Sequence, residues 1–382
     1  MQTRTSPKWL HYLNLVWNGF ASLAFGLLAV LTLRSVLKDG LNPYLGQVSN
    51  RAFYLWIYTS GFFALLALVG FIDSLRRITG KKKSNRPNSS RWLKFSIIFF
   101  PISLYLIWAW ESSTSLLDWI FAILVFVGVL VPVVWITRIA SSKLWGAHPG
   151  RSASLMSLTV SISTPFIMVV QGLVMAGFFM LLYITDTNVF TTAELSLDFE
   201  ALLQSSMLMF LLFCFLVLVV PVIEELFKTL VVWPLLGMNI SPREGYQAGL
   251  MSGAAFALFE GALYAIQTAS VAGNDWIFFL LGRLGGTLIH IFNGGLIGWA
   301  LATAWFKKEH LKAVLAYLIA MIIHGLWNLI VFATQFVPIS QGVETNEAQT
   351  IVAMTIMFSL VSVCFVFFAK HVNKPGEAKS YV

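Results

Sequence analysis

The sequence predicts an all-α, polytopic helical membrane protein of about ten transmembrane helices. Three observations carry that prediction. Hydrophobic residues make up 58% of the 382 positions and charged residues 11%, with a mean hydropathy of +0.79, whereas soluble domains carry about a quarter charged residues. Apolar runs of about 20 residues, enough to cross roughly 30 Å of hydrocarbon, recur along the chain. Lys and Arg alternate between dense and sparse in successive loops, the pattern left when only cytoplasmic loops are enriched in them.

The runs lie near 11–33, 52–72, 95–110, 119–137, 155–185, 205–236, 245–270, 276–306, 313–333 and 351–369. The first follows Arg4 and Lys8, but it exceeds an h-region of about 7–15 residues and lacks a clear A-x-A site, so it reads as an uncleaved helix. The second ends at a loop, 73–94, that carries Arg76, Arg77, Lys81, Lys82, Lys83, Arg86, Arg91 and Lys94; that loop is expected to be cytoplasmic. Counting outward from it, the cytoplasmic segments hold 20 of the 25 Lys and Arg, and both termini fall on that side. The third run is short, and the fourth carries no ionisable residue in its core. The fifth is also apolar; its main polar group is Gln171, which reads as a helix–helix hydrogen bond. An acidic loop over 186–200 follows and is expected to face outward. The tail over 370–382 reads as disordered.

Residues 1–154 thus form an N-terminal membrane region of four helices, read as packing elements. Residues 155–335 form a core, and 336–382 hold the final span and a cytoplasmic tail. The net charge of +8 fits this topology and contact with anionic lipid in the bilayer; it does not point to nucleic acid. Cys214 and Cys364 both fall within predicted spans and imply no disulfide framework.

The core is set apart by where its polar residues fall. Glu224, Glu225, Glu260, His290 and His324 lie inside apolar runs on four separate helices. Each ionisable group carried into hydrocarbon costs about 3 kcal/mol or more on insertion scales, so such residues mark functional sites by default. The sixth run reads Val220-Pro221-Val222-Ile223-Glu224-Glu225-Leu226-Phe227-Lys228. On a helix Lys228 reaches both glutamates, at spacings of four and three. The two glutamates diverge by about 100°, so one is expected to face a cavity while the other pairs with Lys228 or a neighbouring helix. Pro221 removes a backbone donor one turn earlier. The seventh run has small residues at Gly245, Gly249, Gly253, Ala257 and Gly261, a face that admits another helix closely. Glu260 sits beside that face, one turn after Phe256. The eighth run carries His290 and Asn293, and the ninth carries His324 and Asn328.

Adjacent carboxylates in a low-dielectric site do not both ionise easily, so one is expected to hold a proton while a nearby cation keeps the other charged. That supplies an acid and a base from like residues. A carboxylate base could activate water against a peptide carbonyl, with His and Asn as oxyanion donors. The sequence has no H-E-x-x-H helix, no G-x-S-x-G elbow and no intramembrane Asp pair. On the residues alone, catalysis, ion transport, a non-catalytic scaffold or receptor role, and binding of Zn or Mn by Glu and His stay open. Inverted repeats with paired broken helices, which mark many transporters, are not seen.

Glu224-Glu225-x-x-Lys228, Phe256-x-x-x-Glu260, His290 and His324-x-x-x-Asn328, in that order on four helices, resemble the PrsW family of intramembrane proteases. That family is similar to the wider group of CAAX-processing and bacteriocin-processing membrane proteases. Glu260, where the wider group has His, favours the PrsW branch. The resemblance covers about residues 155–335 and implies a glutamate-type protease that needs no metal and no cofactor. In it Glu224 or Glu225, with Glu224 favoured, would activate water, and His290 would assist or bind the oxyanion. His324 and Asn328 would complete the hole, Glu260 would position substrate or share a proton, and Lys228 would offset charge. Asn293 and Phe256 would support the site. The implied substrate is a membrane protein with a single span, such as the anti-sigma factors that family members cleave in stress signalling.

Overall fold

The computed structural model describes residues 8–39, 50–80, 96–109, 118–141, 149–185, 205–236, 240–269, 275–343 and 347–373. The described residues are helical throughout apart from turns, with no strand among them. The Lys-rich stretch 81–86, the acidic segment 186–200 and residues 374–382 of the tail lie outside the described residues.

Helices α1 (Lys8–Asp39), α2 (Asn50–Ile78), α3 (Phe99–Ala109), α4 (Asp118–Ser141) and α5 (Pro149–Leu158) form the N-terminal part. A π-helical turn, Thr159–Ser163, joins α5 to α6 (Thr164–Thr185). The next span is broken into α7 (Ser206–Phe213), a π-helical turn Cys214–Val219, α8 (Val220–Phe227) and the short α9 (Trp233–Leu236). Then come α10 (Pro242–Gln267), α11 (Asp275–Lys307) and α12 (His310–Val331), followed by a π-helical turn Phe332–Phe336, α13 (Val337–Ser340) and α14 (Glu347–Val372).

Among the described residues nine helical segments are long and apolar enough to cross a membrane. The expected ten differ by one: the run at 95–110 gives only the shorter apolar helix Ser96–Ala109. The 11 residues of α3 itself rise about 16 Å at 1.5 Å each, roughly half of a hydrocarbon core. At the other end, α14 continues to Val372, and Asn373 donates to the Ala140 carbonyl at 3.2 Å. The start of the expected tail is therefore helix docked on α4.

The core is built around α10 and α11. A Cβ added at Gly245, Gly249 or Gly253 would strike the carbonyls of Gly298, Gly294 and His290 respectively. The small-residue face thus lets two backbones touch, and it fixes His290 against α10. The fourth glycine of that face, Gly261, meets Val129 of α4 instead. α10 begins with a capping box, Ser241 accepting from the Glu244 N–H while the Glu244 side chain accepts from the Ser241 N–H, which satisfies two otherwise orphaned donors. Side-chain bonds tie the N-terminal helices on: Asn18 Nδ2 donates to Ser154 Oγ at 2.9 Å, Trp17 Nε1 to Ser161 Oγ at 2.8 Å, and Thr159 Oγ1 to Ser252 Oγ at 3.2 Å.

Candidate active site

The broken span α7–α8 presents the paired glutamates. In the π-helical turn the Val220 N–H donates to the Phe215 carbonyl, a five-residue step. The next such bond would run from residue 221 to Leu216, but Pro221 has no N–H to give. Asn328 Nδ2 of α12 supplies the missing donor, to the Leu216 carbonyl at 2.8 Å. Tyr317 Oη donates to the Val222 carbonyl at 2.7 Å, and Ser252 Oγ donates to the Lys228 carbonyl. Broken backbone at membrane depth is tolerated only where neighbouring groups re-satisfy it, as Asn328 does at Leu216.

Glu225 is fully buried and held from three sides. Its Oε1 accepts from Lys228 Nζ at 2.5 Å, His324 Nδ1 at 2.9 Å and Asn293 Nδ2 at 3.1 Å. Lys228 is equally buried, so the two form an ion pair closed off from water and lipid. Asn293 Nδ2 also donates to the Ala320 carbonyl at 2.9 Å. Glu224 is treated differently. Its Oε1 accepts from Gln171 Nε2 of α6 at 2.9 Å. Its Oε2 is buried without a hydrogen-bond partner among the described residues and lies 3.8 Å from His324 Nε2.

Glu260 forms a second centre. Its Oε2 accepts from Arg283 Nη2 at 2.7 Å and from His290 Nε2 at 2.7 Å. Phe256 packs edge-on against the His290 ring, with centroids 5.0 Å apart, and His290 meets His324 at the same separation with the rings perpendicular. The two centres are therefore one cluster.

With both glutamates ionised, these contacts fix which ring nitrogen donates. A carboxylate only accepts, so each histidine carries a proton on the nitrogen that faces its glutamate. His290 Nδ1 is buried without a hydrogen-bond partner among the described residues, and His324 Nε2 lies toward Glu224. One ligand atom from each of Glu224, His290 and His324 lies within 4.8 Å of the others. Two imidazoles and a carboxylate thus converge, an arrangement that can hold a proton, a polarised water or a cation. The charges agree: with every carboxylate ionised, three glutamates face the two permanent cations Lys228 and Arg283, leaving the cluster one positive charge short.

All five ionisable residues picked from the sequence meet in this cluster, as do Lys228, Asn293 and Phe256. Asn328 sits on the broken backbone of the same span and not among the carboxylates. Two contributors were not placed in the site by sequence reasoning. Arg283 is a cation inside an apolar run, seven residues or two turns before His290, and that spacing puts both on one face of α11. Gln171 was the main polar group of its helix.

No curated protein and no solved structure matches the chain. Residues 162–364, more than half of the chain, match the family model described as PrsW family intramembrane metalloprotease, and the chain belongs to that family.

Proposed function

We propose that the protein is an endopeptidase that hydrolyses a peptide bond of a membrane-protein substrate within the bilayer, with Glu224 as the carboxylate that activates water. The state of Glu224 carries this reading: Oε2 is buried, unpartnered among the described residues and turned toward His324 Nε2 at 3.8 Å, while Glu225, whose Oε2 is also unpartnered, is tied to Lys228. An oxygen so placed can take a proton from water as the water attacks a substrate carbonyl. The new C–O bond leaves an oxyanion, which a protonated His324, held through Nδ1–H by Glu225, would stabilise. Breaking the C–N bond requires a proton on the leaving nitrogen, and Glu224 returns it. Glu260 and Arg283 orient His290 beside this centre. The substrate is an apolar, membrane-embedded segment arriving from lipid, since the cluster lies on helices long and apolar enough to span. A protein with a single span, cut in regulated signalling, fits the resemblance.

A metal-bound form is a second reading, favoured by the convergence of Glu224, His290 and His324. The family description implies a metal, and the residues fit one. Two imidazole nitrogens and a carboxylate oxygen suit Zn or Mn, and each imidazole bonds a glutamate through one ring nitrogen, the kind of support metal-bound histidines usually have. Glu224, His290 and His324 would hold the ion, which when bound would polarise water or the substrate carbonyl. Glu225 would then hold the His324 ring and Glu260 the His290 ring. This reading competes with the metal-free reaction that the resemblance implied.

The test uses the full chain in lipid nanodiscs with a panel of transmembrane peptides, new termini being read by mass spectrometry and bound metal by elemental analysis. We expect cleavage by the native protein and none by Glu224→Gln at equal folding. Cleavage that survives complete chelation supports the metal-free form. A stoichiometric metal that is lost in His290→Ala and whose removal stops cleavage supports the second. Undiminished cleavage by Glu224→Gln overturns both.

A further inference from the structure

Gln171 lies in the middle of α6, a helix whose surface is mostly turned outward; its buried residues are Thr164, Ile167 and Leu182. A glutamine amide in hydrocarbon must find a partner, and a backbone carbonyl or a second amide would serve any packing role. This one donates from Nε2 to Glu224 Oε1 at 2.9 Å. Its neighbours at helical spacing fix it there. Ile167 packs with Ile223 and Phe256, and Val170 and Val174 lie against that group together with Val219 and Phe227. Residues 167, 170, 171 and 174 are one face of a helix, so an apolar platform on α8 and α10 presses the amide onto the carboxylate. Phe256 of that platform also touches the His290 ring.

The consequence is an asymmetry between the two oxygens of Glu224. Oε1 is tied to α6, while Oε2 has no partner among the described residues and faces His324 Nε2. No other hydrogen bond to Glu224 is made among the described side chains. Without the amide the carboxyl group could turn about its last bond and its two oxygens would become equivalent.

We infer that Gln171 is a positioning residue for the reaction: it holds Glu224 so that Oε2 alone is presented to His324 and His290. The inference rests on the reading of Glu224 as the working carboxylate, but it makes a separate structural claim about one hydrogen bond. That claim is tested with Gln171→Leu, which keeps the bulk and removes the donor, and with Gln171→Asn, which keeps an amide but is one methylene too short. The first arm is the infrared difference spectrum of each variant against the native protein in lipid. A change in the carboxylate stretching region is expected, and it should vanish when the same comparison is made in a Glu224→Gln background. The second arm is steady-state cleavage of the best peptide from the panel: kcat should fall roughly 10- to 100-fold, the range for losing a hydrogen bond to a charged group, with KM nearly unchanged.

A Glu224-dependent infrared change with a kcat loss in both variants supports the inference. No infrared change, or a loss confined to KM, overturns it, since the amide would then be helix packing or a substrate contact. Should the native protein cleave nothing in the panel, it is the Glu224 reading that suffers, and the infrared arm still decides whether Gln171 orients the carboxylate. If Gln171→Leu does not fold, Gln171→Asn carries both arms.

Discussion

His324 touches both members of the adjacent glutamate pair, with Nδ1 2.9 Å from Glu225 Oε1 and Nε2 3.8 Å from Glu224 Oε2. Neighbouring residues on a helix point about 100° apart, so only a group seated between their two directions can do this. The imidazole enters from α12, and α8 is turned so that the pair straddles it. Two chemically identical side chains thereby become distinct. Glu225 Oε1 takes three donors, one of them a buried cation, whereas Glu224 Oε1 takes a single neutral amide; Oε2 of each is unpartnered among the described residues. That contrast supports Glu224 as the working carboxylate and Glu225 as the residue that holds the ring.

The contrast predicts opposite effects for two like substitutions. Glu225→Gln leaves Lys228 buried opposite a neutral amide, and removing one member of a buried pair costs about 3–5 kcal/mol. Glu224→Gln keeps an acceptor for Gln171 and strands no cation, so its cost should stay within about 1 kcal/mol. Thermal unfolding in nanodiscs should therefore show a large drop in midpoint for Glu225→Gln and a small one for Glu224→Gln, with cleavage lost in the latter at full folding. Adding Lys228→Met to Glu225→Gln should restore part of the stability. Equal midpoints for the two single variants would contradict the assignment.

The contact between α10 and α11 predicts a sharp difference between glycines. A Cβ at Gly249 would run into the Gly294 carbonyl, which cannot move without separating the helices, while at Gly172 it would meet nothing within 4 Å. Gly249→Ala should cost about 1–3 kcal/mol, the range for overpacking, and should displace His290 and so reduce cleavage. Gly172→Ala should be neutral or stabilising by up to about 1 kcal/mol, from helix propensity alone. Unfolding midpoints of the two variants, measured side by side, check both values.

Much of this was legible in the sequence because membrane helices make polar residues conspicuous. Glu224, Glu260, His290 and His324 stand out against apolar neighbours, and the cost of burying them argues for a common site before any fold is known. The glycine face of α10 was legible for the same reason, since close approach is what small residues permit. What was not legible depends on helix rotation and tertiary contact. Spacing places Lys228 within reach of both glutamates, but it takes the positions of α11 and α12 to put it on Glu225. Asn328 shares a face with His324, and only the position of α8 shows that its amide goes to the Leu216 carbonyl. The run at 95–110 has the composition of a span, yet its helix covers fewer residues.

Arg283 is the residue whose weight the sequence least reveals. It shares Glu260 Oε2 with His290, and its guanidinium lies 5.3 Å from the Tyr264 ring centroid. Arg283→Met would leave Glu260 with a histidine partner alone. A buried or half-buried carboxylate that loses its cation draws on the next available proton, and here that is on His290. The expected result is a roughly 10- to 100-fold loss of cleavage with a stability cost of about 1–3 kcal/mol. Arg283→Lys, which keeps the charge but not the planar donor, should recover only part of each. Retention of full activity by Arg283→Met would detach the Glu260 centre from the reaction.

The last prediction concerns Asn328 and Pro221, which solve one problem between them. Pro221 cannot donate to Leu216 in the π-helical turn, and Asn328 Nδ2 does so from another helix. If the amide serves the broken backbone, Asn328→Leu should cost about 1–3 kcal/mol for a buried carbonyl left unpaired. Pro221→Ala restores an N–H at the position that would reach Leu216. The double variant should therefore lose less stability than the single losses added together, with a coupling of about 1 kcal/mol. If Asn328 instead serves an oxyanion hole, as the resemblance implied, Asn328→Leu should lower kcat at little cost in stability and Pro221→Ala should rescue nothing. Unfolding midpoints and cleavage rates for the four proteins of this cycle separate the two roles, because only the structural one makes a proline on one helix decide the worth of an asparagine on another.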